Sequence, residues 1–120
     1  MPLAPWSKAQ ALDDKRWLYG YYFELDGTHY ILTICGNTYE INPDTLCQFI
    51  GQFDMYKIRI FENDIIADGP DLYRVCYDDE LASFIFIDGT GGRFSFDVIY
   101  QPYRIKVVGN MFDDSHMLKH

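Results

Sequence analysis

The sequence predicts an all-β, or β-dominated, protein built from short antiparallel strands, and three observations carry that expectation. Aromatic residues are dense, with Tyr 10 and Phe 9 among 120 residues, and such side chains favour pleated, half-buried strands over helix interiors. Short runs alternate between the two faces of an extended chain. Gly, Pro, Asn and Asp punctuate those runs at close intervals, as turns require. A hydrophobic content of 48% supplies a core without disulfides, so one domain is the working assumption.

Residues 1–16 mix Pro2, Pro5, alanines and charge without alternation, which suggests a flexible arm with at most a short, weak helix around Ser7 to Leu12. From Trp17 the pattern changes, and residues 17–118 read as one β domain. Trp17, Tyr19, Tyr21, Phe23 and Leu25 point one way in an extended chain, while Leu18, Gly20, Tyr22 and Glu24 point the other. Asp26-Gly27 then supplies the two-residue chemistry of a tight hairpin, and "THYILTI" returns as the second strand.

"GNTYEINPDT" reads as a turn, a short strand from Thr38 to Ile41, and a second turn in which Pro43 fixes its own φ. "LCQFIG" is short enough to be a strand or a turn of helix, and a strand is the preferred reading. "KIRIFENDIIAD" gives an apolar stretch, a polar corner at Glu62-Asn63-Asp64 and a strand from Ile65 to Asp68. Asn63 and Asp64 belong to the residue types that tolerate turn backbone, so the corner's simplest task is to redirect the chain. "LYRVCYDDELASFIFID" follows as strand, acidic turn and strand, with Tyr73, Val75 and Tyr77 alternating against Arg74 and Cys76. "DGTGGR" is a loop, "FSFDVIY" a further strand candidate, and "YRIKVVGNMF" the last strand. With no long helix in the pattern, an antiparallel barrel or paired small sheets results. The expected architecture is a small barrel of the Src-homology-3 (SH3) type in the C-terminal half, with the aromatic hairpin packed on it or extending it.

Charge and cysteines narrow the function classes. A formal net charge of -8 opposes a broad grip on nucleic acid, which needs Lys and Arg to displace phosphate counterions. It suits solubility, a basic partner, or a groove that normally holds a polyanion. Cys35, Cys47 and Cys76 are well separated and form no C-x-x-C pair, so they read as reduced core or near-core thiols. The start "MPLAPWSKAQALDDKRW" lacks the pattern of a secretion signal, and no run is long enough to cross a bilayer.

Three segments in order resemble the YopX family of phage and prophage proteins. "QFIGQFDMYKIRIFENDII" is similar to that family's short strand ending in Gly, its variable stretch, and its aromatic, acidic-polar corner followed by aliphatics. "YRVCYDDELASFIF" resembles the next hairpin, and "RIKVVGNMFDD" the closing segment. "WLYGYYFEL" fits the opening aromatic strand, so the resemblance spans roughly residues 17–118. Asn63 stands where Gly is common in the corner, and "FDMYKIRI" replaces the more usual charged, Gly-containing turn. The resemblance implies a small β-rich phage-encoded protein of a family without a settled activity, and it carries over no catalytic residues.

The candidate chemistry is sparse. Asp113, Asp114 and His116 approach a metal-ligand cluster, but they sit near a chain end with no distant ligand specified, and a solvated tail is the simpler reading. Asp78, Asp79 and Glu80 would need an enclosed site to act as acid and base, and an exposed hairpin turn provides none. Contact with a basic partner is their functional alternative. "DGTGGR" lacks the Lys-Ser/Thr ending of a phosphate loop, and a strand instead of a helix follows it. The aromatic hairpin carries Trp, Tyr or Phe on both faces; core packing or a self-contact would explain Trp17, Tyr19, Tyr21 and Phe23, and an anchor for another protein is the sharper reading.

The expectation is therefore a non-enzymatic phage or prophage accessory protein in the bacterial cytoplasm. It binds a host or phage protein through Trp17, Tyr19, Tyr21, Phe23, Asp78, Asp79, Glu80, Asp113 and Asp114, and it uses no cofactor or metal. Its sharpest form blocks a host defence or nucleic-acid enzyme with an acidic surface. The alternatives are a structural homo-oligomer and a nucleic-acid regulator, the latter requiring Lys57, Arg59, Arg74, Arg93, Arg104 and Lys106 to cluster.

Overall fold

The computed structural model describes residues 6–118, which divide into two units that meet between Phe49 and Ile50. Strands account for 54% and helix for 10%, so the all-β expectation holds.

In the first unit, β1 (Ser7–Gln10), β2 (Trp17–Leu25), β3 (Thr28–Thr33), β4 (Thr38–Glu40) and the start of β5 (Cys47–Phe53) lie in the order β4-β3-β2-β1-β5. The hairpin forms as its turn chemistry dictates. Leu25 pairs with Thr28, leaving Asp26 (φ 52°) and Gly27 (φ 82°) as a two-residue loop with both residues left-handed. Ala9, Ala11, Leu18, Ile31 and Ile41 form the core, with Tyr22, Tyr39 and Leu46 packed at its margin. The strands close tightly at Gly20, where a Cβ would stand 2.0 Å from the Leu32 carbonyl oxygen.

The N-terminal expectation needs correction from Ser7 onward; residues 1–5 lie outside the described range. Ser7–Gln10 is neither arm nor helix but a strand paired on one side with β2 and on the other with β5. Its apolar signal, Ala9 with Ala11 just beyond its end, is faint because alanines are the side chains that a strand hemmed in by neighbours accommodates.

In the second unit, β7 (Asp64–Asp68), β8 (Asp71–Asp78), β9 (Ser83–Asp88), β10 (Arg93–Ser95) and β11 (Lys106–Asn110) form an antiparallel sheet in the order β10-β9-β8-β7-β11. The expected barrel is not present among the described residues: β10 and β11 remain unjoined edges. Closure requires the edge strands to pair, whereas β10 has 3 residues and the chain then leaves the sheet. "FSFDVIY", expected as a strand, contributes only Phe94 and Ser95 to β10 before Phe96–Ile99 coil into one helical turn, closed by Tyr100 N donating to Phe96 O at 2.9 Å. Short apolar runs do not declare their period. Ile60, Ile66, Tyr73, Val75, Phe86, Ile99 and Ile105 make the core.

The corner between β6 (Arg59–Phe61) and β7 turns at Asn63, whose φ of 69° explains why a Gly suits this place. Asp64 Oδ2 accepts from Phe61 N at 2.8 Å, and Met111 N donates to Asn63 O at 2.8 Å. Every one of these interactions shapes the chain. In the preceding loop, Asp54 is only 2% exposed. Its Oδ1 accepts from Tyr56 N at 2.8 Å and Ile58 N at 2.9 Å, and its Oδ2 from Val107 N at 3.0 Å. Lys57 takes the left-handed place in that turn (φ 66°). All three cysteines are free thiols, but Cys35 is exposed, which corrects its assignment to the core; Cys47 is buried and Cys76 half-buried. Among the described residues no helix is long and apolar enough to cross a membrane.

Candidate functional site

The register of the hairpin decides which of its aromatic faces is outside. Leu18, Gly20 and Tyr22 turn inward with Ile31, and on that side the Tyr22 hydroxyl meets His29 Nδ1 at 2.6 Å. The opposite face holds Trp17, Tyr19, Tyr21 and Phe23. Core packing therefore does not explain Tyr19 and Phe23, which are 46% and 37% exposed beside Leu25 at 59%, while Trp17 and Tyr21 are half-buried.

Cross-strand pairing knits the outer face together. Phe23 lies opposite Tyr30 with ring centroids 5.1 Å apart, Tyr21 lies opposite Leu32, and the Trp6 ring approaches Tyr21 at 5.9 Å. Lys8 pairs with Tyr19 and places Nζ 4.8 Å from the centre of the Trp17 ring. A buried lysine stem under aromatic rings gives a firm base, because cation–π contact and packing act together. Glu40, paired with Tyr30, adds acid beside the rings, and Asp26 stands in the loop at the hairpin tip. The result is a continuous aromatic surface set on a rigid sheet, which suits it to anchor a partner.

The acidic candidates serve local structure first. At the β8–β9 turn, Asp78 Oδ1 accepts from Glu80 N at 2.9 Å and Leu81 N at 3.1 Å, and Oδ2 pairs with Arg93. The Leu81 amide is the main cause holding the Asp78 carboxyl below its ordinary range, joined by the Glu80 amide and the Arg93 charge and opposed by desolvation. Asp79 and Glu80 are exposed on the same turn. Asp113 and Asp114, expected on a frayed tail, belong instead to a folded turn. Asn110 Oδ1 accepts from Phe112 N and Asp113 N, each at 2.9 Å, while Asp114 Oδ2 accepts from Asn110 N at 3.1 Å. The 3₁₀ turn Ser115–Leu118 then buries Leu118. Nor do the basic residues all stand clear: Arg93 pairs with Asp78, and Arg104 with Asp68 at 2.6 Å.

One constellation escaped the sequence reading. Tyr73 on β8 pairs with Asp88 on β9 and Ile66 on β7, and Asp68 pairs with Asp71 across the β7–β8 turn. Alternation places Asp68, Asp71, Tyr73 and Asp88 on one face at one end of the sheet. No local motif announces this, since the residues meet only through register. A cleft of about 260 Å³ opens there, lined by Tyr73, Asp71, Asp88, Leu72, Met117 and Leu118 among others. Among the described residues, no group of three or more His, Cys, Asp or Glu has the geometry to hold a metal ion.

The family model described as YopX protein matches residues 13–119, nearly the whole chain. No curated protein matches it significantly.

Proposed function

The chain belongs to the YopX family, and from that premise we propose that it is a non-enzymatic, phage-type accessory protein that acts by binding another protein. The observation that carries this reading is the exposed aromatic face of the β2–β3 hairpin. Rigid aromatic side chains supply contact area at small entropic cost and dominate binding energy where they occupy a partner's apolar pocket. The net charge of -8, with Glu40 beside the rings, selects a partner whose apolar pocket is rimmed by Lys or Arg. Enzymes that handle nucleic acid present such basic surfaces, so occlusion of one, from the host's metabolism or its defence, is the form of the function that the charge favours.

Capture of the tagged protein from a nuclease-treated bacterial lysate tests this, with the Tyr19→Ser/Phe23→Ser double variant run in parallel. The expected result is a stoichiometric protein recovered by the wild type and lost with the variant. Recovery undiminished by the variant would contradict the aromatic anchor. Material that disappears on nuclease digestion would point to nucleic-acid binding, and recovery of the bait alone at its multimeric mass to self-assembly.

A further inference from the structure

We draw no further inference here: the strongest candidate, the exposed apolar patch of Phe53, Met55, Tyr56 and Ile58 on the loop that Asp54 holds ahead of β6, carries nothing because nothing in the structure shows what covers it.

Discussion

Tyr19 and Tyr73 are the same residue type on antiparallel strands, yet one lies outside its sheet and the other is wedged into a core. In the first unit both faces of β2 carry rings, and with Tyr22 on the inner side Tyr19 and Phe23 stay exposed and Tyr21 half-buried. In the second unit, Tyr73 and Val75 of β8 meet Phe86 of β9 on one face, and that face is the core. The difference teaches that aromatic density marks a strand but does not tell which rings the fold consumes. Burial follows from register and from what covers each face, and rings left uncovered are available for binding.

The largest effect that would break this contrast lies in the second core. Phe86→Ala should cost about 3–5 kcal/mol in denaturant unfolding, because it removes a fully buried ring and leaves a cavity. Next comes the support under the second sheet: Asp54→Ala should cost about 2 kcal/mol, chiefly by orphaning the Val107 amide. The matching test on the first unit is Phe23→Ser, expected to cost about 1 kcal/mol or less by the same assay, since it sacrifices one exposed ring and its stack on Tyr30. Were Phe23→Ser to cost as much as Phe86→Ala, the outer face would be a core after all.

The smallest effect concerns Asp78 and depends on pH. Its carboxyl is held below 3.8 in the folded protein, so its contribution is fully present above the unfolded value and is lost as pH falls through the lower folded one. The urea midpoint of Asp78→Asn should trail that of the wild type at neutral pH, and the gap should narrow as pH falls below about 5 and close once pH has passed through the lowered folded value. A gap independent of pH would assign the loss to packing.

How much of this was legible in the chain depended on how local the signal was. Asp26-Gly27 announces its hairpin because both positions need left-handed backbone, and the strands β7, β8 and β9 follow from alternation and turn residues. Ala9 and Ala11 carry too little apolar signal to reveal a central strand. The barrel failed because closure is a property of two distant edges, and Phe96–Ile99 diverts the chain at one of them. Of the candidate residues, Trp17, Tyr19, Tyr21 and Phe23 could be named as a group, but the fact that they form the outer face came from register. Tyr73, Asp68, Asp71 and Asp88 could not be named, since each looks ordinary until the strands align.

Trp6 and Trp17 are the chain's two tryptophans, and both side chains lie on the outer aromatic face. Acrylamide quenching of their fluorescence, measured on the free protein and again with the captured partner, is the most direct test of the central claim. The account predicts quenching in the free protein that falls when the partner binds, at concentrations where the free protein alone shows no change on dilution. Quenching unaltered by a saturating partner would place the binding surface elsewhere and contradict the assignment of the aromatic face.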